Sequence, residues 1–355
     1  MGNNITNKRI DELDYIRGFA LLGIILVNIL ALLNIKVPDP NTVDASYQRF
    51  LYLFVEGRFF SIFSFLFGVG FYIFITRAIA KGKNGYVLFL RRLVALFIFG
   101  LIHQMFQPGE ALALYAICGL VTLPFYKVKK QINLVIGLIL TIVFSIMAAK
   151  ELLPVGLILL GLAAGQYKVF ENLSAKIKQV AIFTGVMFVL SVIALWYQYG
   201  HVPAEPFVNM ILMTEDGTMD AAGQFLKIGV TVGPIISAFY VGALILLLQL
   251  KPVQALLAPL KYYGRMALTN YIGQTAMILI AGSVFNFAGN LTYMQTLYVC
   301  IAIYAIQIIF SVIWMKIFKM GPLEWIWRVI TYWTVTPFFY FHLLSVNRYS
   351  LSNRR

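Results

Sequence analysis

Charge is scarce in this sequence: 12% of its 355 residues are Asp, Glu, Lys or Arg, where soluble domains carry about 25%. That excludes a chain solvated on all sides. With 61% hydrophobic residues, the chain needs an apolar solvent. Cysteine is almost absent, and Cys118 and Cys300 both lie inside apolar stretches, which argues against a disulfide framework or a thiolate metal site. The three histidines, His103, His201 and His342, are far apart, so no metal site is expected. Walker loop, HExxH, nucleophile elbow and dinucleotide fingerprint are all missing. No small-residue cleavage site follows the first apolar run, which continues from Arg17 through Asn28; it reads as a retained helix and not as a signal peptide.

What is present is a succession of apolar runs. Stretches of about 20 residues at 1.5 Å rise cross a hydrocarbon core of roughly 30 Å. Segments near 15–34, 52–76, 88–106, 110–126, 132–149, 152–168, 179–199, 227–250, 266–286 and 296–318 predict an all-α, polytopic transmembrane helix bundle of about ten spans. The bundle forms one integral membrane domain, with an N-terminal part over 1–200 and a C-terminal part over 201–355.

The net charge of +14 sits in short clusters between spans, as orientation signals do. No nucleic-acid-binding pattern accompanies it; a basic mouth for an anionic ligand is the other reading. With the amino terminus placed inside, 23 of the 28 Lys and Arg fall on that side, and only Lys36, Arg49, Arg58, Lys150 and Lys227 fall outside. Shifting the register by one span would destroy this asymmetry, so both termini are expected in the cytoplasm. Residues 329–345 are aromatic but short and interrupted by Pro337. A C-terminal interfacial segment fits better than a span, which would carry Arg348, Arg354 and Arg355 outside. Two outer loops stand out: 35–50, with Pro38, Asp39, Pro40 and Asp44, and 200–226, with Glu205, Glu215, Asp216 and Asp220. Each is a functional loop or a solvated connector. The Gly161–Gly165 spacing suits close helix packing.

Polar residues inside a membrane are costly, so each is a candidate site. Asp14, Arg17, Leu21, Ile24 and Asn28 share a helix face, with Asn28 roughly 16 Å deeper than Arg17; the stripe serves a ligand or an interhelical hydrogen bond. Ser61, Ser64 and Gly68 form a second stripe expected to face other helices. Glu56 and Arg58 are two apart and cannot pair along a helix, so Arg58 needs water or another helix. His103 ends the third span and Glu110 opens the next after Pro108-Gly109. A histidine oriented by a carboxylate suits general-base work, though a satisfied structural histidine has the same pattern. Asn270 and Gln274 share a face, as do Gln307 and Ser311. Gly321-Pro322 is expected to break a helix, and Glu324 with Arg328 forms an i,i+4 pair whose plainer role is to cap the fold.

At these residues the chain resembles a known family. DYIRGFALLGI from Asp14 through Asn28, FSFLFGVG from Phe63, FGLIH from Phe99, GRMALTNY from Gly264 and GPLEWIWR from Gly321 are similar to YeiB-like bacterial membrane proteins. The C-terminal part resembles the domain of unknown function numbered 418. The resemblance implies a wider transmembrane acyltransferase superfamily that includes heparan-glucosaminide N-acetyltransferase. It also implies a bacterial plasma membrane location, acetyl-CoA or another acyl-CoA as donor, and an acceptor (glycan, lipid or small molecule) across the membrane. Asn28 matches the family's span asparagine. Where the family's catalytic histidine would follow eleven residues later, this chain has Asp39, and 35–50 holds no histidine.

The expected activity is acyl transfer from cytoplasmic acyl-CoA to an extracytoplasmic or lipid-borne acceptor. Arg17, Arg91, Arg92, Arg265 and Arg328 would attract CoA phosphates; Asn28, Asn270 and Gln274 would line the acyl path; His103 with Glu110 would deprotonate the acceptor; and Arg58 is a further ligand-binding candidate. A transporter or lipid-handling protein on the same scaffold is the rival, favoured by the missing loop histidine. Membrane lipids are partners on either reading, nucleic acid is not, and a second copy of the chain stays open.

Overall fold

The computed structural model describes residues 9–209, 219–335 and 337–339; Lys8, Glu215, Asp216, Tyr340, His342, Arg348, Arg354 and Arg355 lie outside them. The helices are α1 (Asp11–Leu32), α2 (Val43–Phe54), α3 (Arg58–Ala80), α4 (Gly85–Gln104), α5 (Leu112–Thr122), α6 (Lys130–Ile146) and α7 (Leu153–Gln166). They continue as α8 (Ile177–Tyr199), α9 (Ala221–Leu247), α10 (Lys251–Leu256), α11 (Ala258–Arg265), α12 (Ala267–Val284), α13 (Tyr293–Ile317) and α14 (Pro322–Tyr332). No strand forms among the described residues, apart from a bridge between Phe318 and Phe339.

Among the described residues six helical stretches are long and apolar enough to cross a membrane: α1, the α2–α3 unit, α4, α8 with its leading 3-10 turn, α9 and α13. The apolar helices Leu112–Lys127, Lys130–Ile146 and Leu153–Gln166 are shorter, and α12 carries Thr269, Asn270, Gln274 and Thr275 in its first half. Capping follows sequence: the side chains of Thr42, Asn84, Asp220 and Thr292 accept from the first turns of α2, α4, α9 and α13.

Two expectations need correction. The expected loop over 35–50 is helical from Val43, because Thr42 caps it and Tyr47, Gln48, Leu51 and Tyr52 form a buried face. The run expected to be one helix from near 52 is divided, because Gly57 takes φ +76 and separates α2 from α3, which starts at Arg58. The expected break at Gly321-Pro322 is present between α13 and α14: Gly321 is the N-cap of α14 and Pro322 occupies its first turn, where a missing N–H removes nothing.

Glycines set the tightest crossings. A Cβ on Gly264 would overlap the Asp14 carbonyl and one on Gly18 the Leu260 carbonyl, so α1 and α11 touch backbone to backbone. Gly68 meets the Ile158 carbonyl and Gly161 the Phe65 carbonyl, with Gly165 against Tyr72. The expected packing role of Gly161 and Gly165 is therefore seen between α3 and α7. Gly100 seats α4 against Ala113 of α5.

Candidate functional site

The Gly18–Gly264 contact brings the DYIRG and GRMALTNY segments together at one end of the bundle. Asp14, buried, accepts from Arg9 and from Arg17 Nη1, the latter at 3.1 Å. Arg17 reaches α3, where its Nη2 would lie 3.6 Å from a Cβ on Gly70. Arg265, half-buried at the end of α11, has an Nε without a partner among the described residues.

At the same end α14 lies against α4. Trp327 Nε1 donates to the Arg92 carbonyl at 2.8 Å, and the Arg92 guanidinium lies 3.4 Å from the centre of the Trp327 ring. Arg91 stacks on Trp333 at 3.9 Å, and Arg328 lies 5.5 Å from the Tyr332 ring. Stacking on aromatic faces holds these cations without neutralising them. Arg17 and Arg328 both act on Arg92 by repulsion, and Glu324 attracts it. The five arginines expected to act together, Arg17, Arg91, Arg92, Arg265 and Arg328, thus lie at one end of the bundle.

Of the two roles expected for Glu324, pairing with Arg328 and capping the fold, the hydrogen bonds show the cap. Glu324 Oε1 accepts from the backbone N–H of Leu268 at 2.7 Å and Thr269 at 3.1 Å, and its Oε2 from Thr269 Oγ1 at 2.6 Å. It caps the start of α12, where the dipole and unpaired amides favour a carboxylate. Burial, the largest influence, still pushes its pKa above the ordinary value, against the hydrogen bonds that lower it. A Cβ on Gly321 would overlap Glu324 Oε2, so a side chain there would move the carboxylate off this cap.

Toward the other end lies His103, buried in the last turn of α4. Its Nε2 is 2.8 Å from Thr275 Oγ1 on α12, and its Nδ1 is 3.4 Å from Glu110 Oε1. Tyr271 crosses the imidazole edge-on at 5.0 Å. Glu110 also accepts from the Leu112 and Ala113 amides at 2.6 and 2.8 Å, so it holds both the start of α5 and the ring. Side-chain exposure is 3% for His103 and 1% for Glu110. The chain of hydroxyl, imidazole and carboxylate has the order used to activate a hydroxyl. Sequence reading paired His103 with Glu110 but missed Thr275; no local signal says which helix faces a histidine.

Asn28 is half-buried on α1. Asn270 and Gln274 belong to an interhelical network. Asn270 Nδ2 donates to the Tyr263 carbonyl and to Ser311 Oγ, and Gln274 Nε2 donates to the Leu21 carbonyl and to Tyr263 Oη. Gln307 Nε2 donates to the Asn270 carbonyl while its Oε1 accepts from Tyr263 Oη. These amides tie α1, α11, α12 and α13 together. Arg58, at the opposite end from Arg17, finds the other helices it needed: Nη2 donates to Gln198 Oε1 on α8 at 2.6 Å and Nη1 to the Gly229 carbonyl on α9 at 3.3 Å.

Two family models match. Residues 9–171 match heparan-alpha-glucosaminide N-acetyltransferase, catalytic, and residues 164–334 match protein of unknown function DUF418. An uncharacterized 39.9 kDa protein of the amylase 3' region of Bacillus acidopullulyticus is 59% identical over 327 residues, covering 92% of this chain and 94% of that one. The uncharacterized protein YxaH of Bacillus subtilis (strain 168) is 28% identical over 94% of this chain and 96% of its own. The uncharacterized protein YeiB of Escherichia coli (strain K12) is 27% identical over 90% and 95%.

Proposed function

The chain belongs to the YeiB-like family of DUF418 membrane proteins, and from that premise we propose that it is a plasma-membrane acyltransferase. It takes an acyl group, acetyl in the simplest case, from acyl-CoA in the cytoplasm and passes it to an acceptor reached from the far face or from the bilayer. The observation that carries this reading is His103 held between Glu110 and Thr275, inside the segment that matches the acetyltransferase catalytic model.

In this proposal the Arg17, Arg92 and Arg328 end faces the cytoplasm and receives the CoA phosphates, which guanidinium groups bind bidentately. The acceptor hydroxyl or amine takes the place of the Thr275 hydroxyl at His103 Nε2. Its lone pair attacks the thioester carbonyl, the C–S bond breaks as the C–O or C–N bond forms, and the acceptor proton passes to Nε2. Glu110, accepting from Nδ1–H, orients the ring and stabilises the imidazolium. CoA leaves as the thiolate and takes the proton back from His103 Nε2, which returns the imidazole to its neutral form.

The test is a calorimetric titration of acetyl-CoA into the purified protein. Saturable heat that weakens with added salt is expected, with Arg17→Ala lowering affinity about tenfold or more, the scale of a lost charge-assisted contact. Absence of both heat and thermal shift in the wild type would overturn the donor assignment.

One observation favours the rival reading, a transporter or lipid-handling scaffold. Both ring nitrogens of His103 already have partners within the bundle, as a purely structural histidine would.

A further inference from the structure

A second polar site lies at the end of the bundle opposite Arg17. A cavity of about 350 Å³ is lined by residues that include Tyr52, Glu56, Arg58, Lys150, Glu151 and Gln198. That volume is at the small end of ligand pockets, which run about 300–1,000 Å³.

Arg58 is the unusual member. It is 1% exposed, yet the described residues give its guanidinium hydrogen bonds only to uncharged oxygens. Nη1 donates to the Glu56 and Gly229 carbonyls at 2.6 and 3.3 Å, and Nη2 donates to the Gln198 side chain at 2.6 Å. Its Nε–H has no partner there, and a buried donor left unpaired calls for an explanation, a bound ion among them. The carboxylate two residues away does not serve, because Glu56 is taken by Lys150 at 2.6 Å. Glu151, the remaining acid of the lining, is exposed, so solvent weakens its charge at the cavity without abolishing it, and it makes no hydrogen bond to Arg58.

Position adds to the imbalance. Arg58 is the first residue of the 23-residue α3, where the helix dipole is positive and a cation is disfavoured. The surrounding backbone nevertheless holds it there. Ser237 Oγ donates to the Arg58 carbonyl at 2.7 Å, and Gly229 leaves room for the Gln198 amide that accepts from Arg58, since a Cβ there would sit 2.9 Å from Gln198 Nε2. A held guanidinium whose hydrogen bonds reach no carboxylate among the described residues, at a positive helix end and beside a cavity, has the electrostatics of an anion site.

We propose that this cavity binds a small oxyanion, a carboxylate or phosphate group, docked against Arg58 and the Lys150 ammonium. The site does not depend on acyl transfer, and it stands whether or not acetyl-CoA binds at the other end. The oxyanion could be borne by a soluble metabolite or by a lipid headgroup, and the chemistry of recognition is shared.

The experiment uses the full chain in phosphatidylcholine nanodiscs, titrated with acetate and with inorganic phosphate and read by calorimetry and thermal shift. Saturable, salt-sensitive binding of at least one of the two is expected. Arg58→Gln weakens it tenfold or more, and Arg58→Lys restores part of the loss. Glu151→Gln, at the exposed rim and outside the structural contacts of Arg58, tightens binding about two- to fivefold by removing a repulsive charge. This second variant keeps the test valid if the Arg58 variants do not fold. Loss of soluble-anion binding in phosphatidylglycerol nanodiscs would identify the headgroup as the occupant and uphold the site. Wild-type protein that binds neither anion and does not enrich phosphatidylglycerol overturns it, as does binding that Glu151→Gln and folded Arg58 variants leave unchanged.

Discussion

His103 and Arg58 illustrate two fates of a polar side chain in an apolar bundle. His103 has a partner on each ring nitrogen, whereas Arg58 keeps an N–H with none among the described residues. For His103 the catalytic proposal and the structural reading separate on purified protein. General-base catalysis contributes about 10²–10⁴-fold, so His103→Ala is expected to lower acyl transfer by that range while the folded fraction stays near wild type. Glu110→Gln should cost less turnover, because an amide still accepts from Nδ1–H, but should also loosen the start of α5, whose Leu112 and Ala113 amides Glu110 receives. Unchanged turnover per folded molecule, with stability lost first, would assign the histidine to the scaffold.

At the scale of elements, motifs far apart in sequence prove to be contacts between helices. DYIRG meets GRMALTNY through Gly18 and Gly264, and GPLEWIWR caps GRMALTNY through Glu324. Removing three accepted hydrogen bonds at a cap should be costly, and Glu324→Ala is expected to destabilise by about 0.5–2 kcal/mol. The pH dependence has a defined sign. Burial raises the folded pKa of Glu324 above 4.5, so the folded chain binds more protons than the unfolded chain between those values. The contribution is fully present below 4.5 and is lost as pH rises through the raised value. Glu324→Gln does not titrate, so the stability difference between wild type and this variant should shift against the wild type as pH rises from 4 toward 7. A difference that does not move with pH would remove Glu324 from the titrating groups.

For the whole molecule, contacts sort into two ends. Arg17, Lys261, Arg92 and Glu324 gather at one, and Arg49, Arg58 and Lys150 lie at the other. The proposed topology of ten crossings with both termini in the cytoplasm puts the first end inside. Single cysteines at 83, 129, 205 and 218, labelled in intact cells by an impermeant reagent, test it. Reaction at 205 and 218 with protection at 83 and 129 is expected, and the reverse pattern would invert the proposed direction of transfer.

Sequence by itself determined that this chain is helical and bounded by lipid, because apolar run length and the scarcity of charge are properties of composition and order. It also placed His103 within reach of Glu110, seven residues on, because a short turn leaves little freedom between them. Only the tertiary structure decided which helix each polar group meets: Thr275 for His103, Gln198 for Arg58, and the α12 amides for Glu324. The same holds for the break at Gly57 and the helical start at Val43. The reason is physical. Periodicity reports neighbours along one helix, whereas contacts between helices depend on where glycines let backbones close, and that depends on both partners at once.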